Sequence, residues 1–179
     1  MRVITGTAKG TRLLTLDGDS VRPSSEKVKE AVFSSIQFEL EQSSFLDLFA
    51  GSGQMGIEAL SRGAKNAVFI DNSFQSISII KQNLGNCNLS ENSIVLKSDF
   101  KDYLNNSKSK FDIAFLDPPY HLGLLEEALV LTSKVMNPNG IIICEHPSVV
   151  SLPDDINQFS KTKEYRYGKI FITVYRKND

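Results

Sequence analysis

The run Phe45-Leu46-Asp47-Leu48-Phe49-Ala50, passing directly into Gly51-Ser52-Gly53-Gln54-Met55-Gly56, constrains this chain more than any other feature. The first part reads as a buried strand and a helical pattern follows the glycines. Without side chains, Gly51 and Gly53 let backbone approach a ligand closely, and the helix N-terminus behind them offers free N–H donors. Asp71 ends the next apolar strand, 20 residues after Gly51. A carboxylate there can accept two hydrogen bonds from a ribose diol. Phe49 before the glycines and Asn72 after the acid complete this part of a predicted cofactor site.

The rest of the chain repeats the same rhythm. Apolar strands are predicted at 45–50, 67–71, 93–97, 111–117 and 140–145, with helical patterns at 55–62, 73–85, 100–106 and 122–136. Strand alternating with helix implies right-handed crossovers and a parallel sheet covered on both faces. Two features depart from it. Residues 2–16 read as a short hairpin around Gly6 to Gly10, and 164–167 and 169–175 read as two strands about a tight turn at Gly168. Between the first hairpin and the first strand of the sheet, Val21-Arg22-Pro23-Ser24-Ser25-Glu26 starts a helix. The expected fold is therefore α/β and Rossmann-like: a mostly parallel seven-stranded sheet with an antiparallel C-terminal hairpin and a small N-terminal β-hairpin.

With 179 residues, 41% hydrophobic, and a net charge of -1, the chain fits one folded domain: a hairpin extension over 1–20 and a core over 21–179. No apolar run reaches the roughly 20 residues of a membrane span, and the first residues lack a signal-peptide pattern. Cys87 and Cys144 make no disulfide framework, so a cytoplasmic, monomeric protein away from membranes is expected. Two histidines and two distant cysteines do not suggest a metal site. Residues 161–177 carry six cations against one anion. Such a cluster is either a solvated face or a surface for phosphates. Tyr165 and Tyr167, beside Arg166, are expected to pack one face of a strand.

Three acids refine the cofactor. Asp47, four residues before Gly51, would repel a pyrophosphate but suits a positive group such as the amino group of S-adenosylmethionine, with a simple turn cap as the alternative. Asp99 opens a helical pattern, where it can cap the first turn, accept from an adenine amine, or do both, with Phe100 beside the ring. Asp117 follows the apolar strand Phe111 to Leu116 and begins Asp117-Pro118-Pro119-Tyr120. Two prolines stiffen this loop and leave its carbonyls open as acceptors. Asp117 and the Pro118 carbonyl can take the two hydrogens of a planar amine while Tyr120 stacks on its ring, with Pro119 alongside. His121 next in line is read as a solvent-facing loop residue, and Glu145-His146 at the end of the fifth strand as a structural hydrogen bond.

The glycine loop with Asp117-Pro118-Pro119-Tyr120 resembles the amino-group class of S-adenosylmethionine-dependent methyltransferases. Met1-Arg2-Val3-Ile4, Lys9-Gly10-Thr11-Arg12-Leu13, Arg22-Pro23-Ser24-Ser25-Glu26-Lys27-Val28-Lys29-Glu30-Ala31 and Gly56-Ile57-Glu58-Ala59-Leu60-Ser61-Arg62-Gly63 are similar to the RsmD family. The family usually carries a further basic residue where this chain has Thr11. The resemblance implies methyl transfer to the exocyclic N2 of a guanine in 16S rRNA, in the small ribosomal subunit or an assembly intermediate, with S-adenosylhomocysteine as product. It also implies Arg12, Arg22 and Pro23 on the RNA side, and a transfer needing no metal. Alternatives are a DNA adenine N6 or protein glutamine methyltransferase, an NAD-dependent oxidoreductase, and a non-catalytic RNA-binding assembly factor. DNA enzymes usually bring a base-recognition domain, for which no segment here is long enough. The glutamine enzymes favour Asn at the position of Asp117, and the last two alternatives leave the Asp-Pro-Pro-Tyr loop unexplained.

Overall fold

The buried runs Phe45–Leu48, Ala67–Ile70, Ile113–Leu116 and Ile141–Cys144 lie side by side as the middle of one sheet. A computed structural model describes residues 1–16, 23–120 and 123–178, with 23–25 described by backbone alone. Its helices are α1 (Pro23–Ser35), α2 (Gln54–Ser61), α3 (Phe74–Asn86), α4 (Phe100–Asn106) and α5 (Leu125–Ser133). The strands are β1 (Ser44–Leu48), β2 (Asn66–Asp71), β3 (Ser93–Lys97), β4 (Phe111–Leu116), β5 (Met136–Pro147), β6 (Asp155–Ile156), β7 (Phe159–Tyr167) and β8 (Ile170–Lys177). Their order across the sheet is β3-β2-β1-β4-β5-β8-β7-β6.

The pairings from β3 to β5 are parallel, and β8, β7 and β6 add antiparallel neighbours. The chain moves outward from β1 through β2 to β3, then returns to place β4 on the other side of β1. That reversal puts the ends of β1 and β4 together, where open α/β sheets bind ligands. One face of the sheet buries α1, α2 and α3 in a core around Phe33, Ile57 and Ile80. The other buries α4 and α5 around Leu104 and Leu129. Tyr165 and Tyr167 pack against the first core, as expected of aromatics on one strand face. Cys87 and Cys144 are buried free thiols. Among the described residues no helix is long and apolar enough to cross a membrane.

One expectation needs correction. The sheet has eight strands, because the two-residue β6 pairs with β7. The N-terminal hairpin is short: it holds one antiparallel bridge, Arg2 to Arg12, flanked by bonds from Val3 N–H to the Thr11 carbonyl (3.0 Å) and from Leu13 N–H to the Met1 carbonyl (3.0 Å). Other backbone groups of the segment turn to side chains of α2. Glu58 accepts from the N–H groups of Ile4 (2.8 Å) and Thr5 (3.0 Å). Ser61 Oγ accepts from Ala8 N–H at 3.0 Å and donates to the Thr5 carbonyl at 2.6 Å. A Cβ on Gly6, whose φ is +89°, would stand 1.7 Å from the Ser61 carbonyl oxygen. The arm is therefore seated by polar atoms of a helix that is otherwise apolar.

Candidate active site

The glycine loop forms where β1 must turn sharply into α2. Phe49 has φ +68°, a strained value for a non-glycine residue, which ends β1 at Leu48. Gly51 (φ +56°) and Gly53 (φ +78°) also take the left-handed conformation, and Gly53 is the N-cap of α2 with no side chain capping it. A Cβ on Gly51 would meet nothing within 4 Å, whereas one on Gly56 would lie 2.3 Å from the ring of Phe69. The first glycine thus leaves space for a ligand, and the last lets the helix close on the sheet.

Acidic side chains hold this loop from below and beside. Asp47 is 2% exposed. Its Oδ2 accepts from Gly56 N–H at 2.9 Å. Burial raises its pKa to about 7, with Gly56 N–H opposing the rise and Asp71 adding to it. It lies beneath the loop and is not among the described residues lining the cleft. Asp71 bridges the loop to the next turn: Oδ2 accepts from Gly51 N–H at 2.8 Å and Oδ1 from Ser73 N–H at 2.9 Å. Each oxygen keeps a further lone pair.

A cleft of about 450 Å³ opens above the ends of β1, β2 and β4. This is within the ~300–1,000 Å³ usual for small-molecule sites. Phe49, Gly51, Asp71, Asn72, Asp99, Phe100 and the whole Asp117 to Tyr120 loop line it, as their sequence positions suggested. Asp99 caps α4, accepting from Lys101 N–H at 2.8 Å while facing the cleft. Phe49 and Phe100 form an apolar wall, their ring centroids 5.1 Å apart. Gly53 shapes the loop from outside the cleft. Arg12 is exposed on the arm, away from the cleft, and Pro23 opens α1 by backbone. Arg22 and His121 lie outside the described residues.

The sequence did not point to Leu16, Ile70, Ser76, Ser98 and Leu124, which also line the cleft. Nor did it show that Tyr120 donates to Glu145 Oε1 at 3.1 Å. Tyr120 also hydrogen-bonds Asp117, and burial with these two carboxylates holds its phenol well above the ordinary range, so that it stays a donor. His146 is buried and engaged elsewhere, its Nε2 2.8 Å from Thr173 Oγ1. Asn83, a buried amide on the apolar face of α3, holds the Ser52 carbonyl of the glycine loop at 2.9 Å. It could have been noticed as the one polar member of the stripe Ile77, Ile80, Asn83, Leu84.

Three similarities bear on what such a cleft serves. "Putative rRNA methyltransferase YlbH" of Bacillus subtilis is 37% identical over 182 residues, covering 99% of both chains. Ribosomal RNA small subunit methyltransferase D of Haemophilus influenzae is 36% identical over 150 residues, 81% of this chain and 78% of that protein. The solved structure of "Putative methyltransferase yhhF" from Escherichia coli matches with a TM-score of 0.90 at 28% identity, over 99% of this chain and 98% of that one. The family model described as "Conserved hypothetical protein 95" matches residues 1–176. With the glycine loop, the paired acids and the Asp-Pro-Pro-Tyr loop meeting in one cleft, the chain belongs to that family, the RsmD family of S-adenosylmethionine-dependent methyltransferases.

Proposed function

We propose that this protein methylates the exocyclic N2 of a guanine in 16S rRNA, acting on the small ribosomal subunit or a precursor of it. The observation that carries this reading is that Asp117 to Tyr120 and the glycine loop line the same cleft. An amine acceptor and a nucleotide cradle thereby face one space. The cofactor fits the groups present: Asp71 keeps acceptor capacity for a ribose diol, Asp99 for an adenine amine, and Phe49 and Phe100 offer an apolar wall. Gly51 leaves room for close approach, while Gly53 and Asp47 keep the loop in shape. Asn72 stands next to Asp71 on the same wall. When bound, the cofactor supplies an electrophilic methyl group.

Guanine N2 is a poor nucleophile, since its lone pair is delocalised into the ring. As the new N–C bond forms and the methyl–sulfur bond breaks, leaving S-adenosylhomocysteine, the nitrogen becomes positive and then releases a proton to the Asp117 carboxylate, its hydrogen-bond acceptor. Asp117 and the Pro118 carbonyl, accepting the two N–H groups, stabilise that growing charge more than they stabilise the neutral amine, which lowers the barrier. They also fix the direction of the lone pair, and Tyr120 with Pro119 holds the base plane. The base reaches the cleft unstacked or flipped out of its helix. Arg12 on the arm and Pro23 at the start of α1 are assigned to the RNA side, together with Arg22, which lies outside the described residues.

The test is methyl transfer from labelled S-adenosylmethionine to small subunits lacking the modification, followed by identification of the nucleoside. N2-methylguanosine is the expected product. Cofactor binding without transfer to the subunits would reject the substrate.

A further inference from the structure

Glu145 is not among the described residues lining the cleft but is tied to it through Tyr120, and the mechanism above gives it no part. It stands at the carboxyl-terminal end of β5, directly after Cys144, which pairs with Leu116 of β4. It therefore comes beside Asp117 on the neighbouring strand end. Its Oε1 takes the Tyr120 hydroxyl at 3.1 Å, and the same hydroxyl also hydrogen-bonds Asp117. One phenol on the cleft wall thus gathers two carboxylates from adjacent strands. Its neighbour His146 is committed on the opposite face of β5, in a chain through Thr173 Oγ1 to Glu164 Oε2.

The geometry points to Glu145 as the residue that selects guanine, by accepting its ring N1–H while Asp117 accepts from N2. This rests on the reading of Asp117 given above. Guanine is the base that presents a ring N–H next to an exocyclic amine on its Watson–Crick edge. Adenine and cytosine present a ring nitrogen lone pair next to theirs. Two adjacent carboxylates match the first edge and oppose an acceptor to the lone pair of the second. Burial raises the Glu145 carboxyl, and the Tyr120 hydroxyl opposes that rise by stabilising the ionised form. In its ionised form, which the Tyr120 hydroxyl favours against burial, the carboxylate has no proton to offer a ring lone pair, and a mismatched base leaves it unpaired. Sites that depend on such a bond reject the wrong partner far more strongly than apolar pockets do.

A comparison of guanine with 2-aminopurine isolates the contact. Both carry the C2 amine, but 2-aminopurine has a lone pair at N1. Single-turnover methyl transfer would be measured on small subunits reconstituted with either base at the position the wild type is found to methylate. Wild type is expected to favour guanine by at least about 100-fold. Glu145→Gln, whose amide can donate to N1, is expected to narrow that ratio about 10-fold or more while binding S-adenosylmethionine as wild type does. Equal transfer to both bases by wild type would overturn the assignment. So would an unchanged ratio in Glu145→Gln, or a variant inactive on both bases with cofactor binding intact, which would make Glu145 a support for Tyr120. If wild type methylates no guanine in the first place, the proposed function itself fails, and that arm is read before any variant is compared.

Discussion

Charged side chains gather in two regions, beneath the N-terminal arm and around the cleft, and they are used in opposite ways. Under the arm, the carboxylate of Glu58 is fully buried and meets four donors. These are Ile4 N–H (2.8 Å), Thr5 N–H (3.0 Å), Arg62 Nε (2.8 Å) and, at 3.5 Å, Lys29 Nζ. Lys29 in turn donates to the Arg2 carbonyl at 2.7 Å. Around the cleft, Asp71 and Asp99 spend their acceptors on backbone N–H groups and stay on the wall of an open space. A carboxylate whose valences are filled by its own chain is a structural joint. One that is positioned with capacity left over is a site for something else.

The largest effect is expected from breaking the joint. Glu58→Ala leaves Lys29 and the Arg62 guanidinium without their counter-charge, and two arm N–H groups without an acceptor. Removing one partner of such a buried set costs ~3–5 kcal/mol. Chemical denaturation should show this as a lower midpoint, with arm residues losing hydrogen-exchange protection first. A midpoint within error of wild type would mean that the arm is not seated through Glu58.

Asp117→Ala is the matching change at the cleft. It is expected to slow methyl transfer by ~10²–10³-fold, the usual cost of one well-placed polar contact to a transition state. Its denaturation midpoint should stay close to that of wild type. Equal losses of stability and rate would erase the distinction between the two regions.

Asp47, buried beneath the loop, is placed as a structural joint, and pH tests whether it also serves the cofactor. Its pKa is raised from 3.8 to about 7 by burial, so the folded chain binds more protons than the unfolded chain across that interval. Stability is therefore lowered as pH rises through that window, by about 4 kcal/mol once the group is ionised, at ~1.4 kcal/mol per unit. Asp47→Asn keeps an oxygen for Gly56 N–H and removes the titration. Its stability relative to wild type should improve by a few kcal/mol between about pH 4.5 and 7.5. If Asp47 also senses the cofactor's amino group, binding of S-adenosylmethionine by wild type at pH 7 should release protons, and the asparagine variant should release fewer. A flat pH comparison would put the Asp47 carboxyl in its ordinary range.

Local and near-local patterns were readable in the sequence. The five parallel strands, their helices and the glycine and Asp-Pro-Pro-Tyr loops fall where apolar runs meet residues with restricted or permissive backbones. Boundaries shifted where a backbone feature outweighed composition. β1 ends early at the positive φ of Phe49, and β5 begins at Met136, running through Asn137-Pro138-Asn139-Gly140 with a register shift against β4. The turn of the arm was readable, but not what seats it: beyond its own bridge it is held by Glu58 and Ser61, side chains more than 40 residues away. Asp47 was read as a cofactor contact, and nothing in its neighbourhood showed that it would lie beneath the loop and accept from Gly56 N–H. Of the six cations near the C-terminus, Lys161 and Arg176 are engaged in ion pairs with Asp154 and Glu39. Composition counts such charges without showing which are spent.

Asn83 links the two regions and gives the smallest and most discriminating test. Its Oδ1 accepts from Leu14 N–H at 2.8 Å, while its Nδ2 donates to the Leu14 carbonyl at 3.0 Å and to the Ser52 carbonyl at 2.9 Å. One buried amide thus fixes the arm two residues before Leu16, which lines the cleft, and fixes the glycine loop next to Gly51. Asn83→Ala strands one N–H and two carbonyls, a cost of ~1–3 kcal/mol if they stay dry and less if water reaches them. Because the orphaned groups belong to both walls, KM for S-adenosylmethionine should rise a few-fold with kcat nearly unchanged. Asn83→Asp keeps the acceptor for Leu14 N–H and loses both donors, so the loop should loosen while the arm keeps part of its attachment. An Asn83→Ala protein that is less stable but has an unchanged KM would show the opposite arrangement, in which the arm can loosen while the loop holds its shape through Asp47 and Asp71 alone.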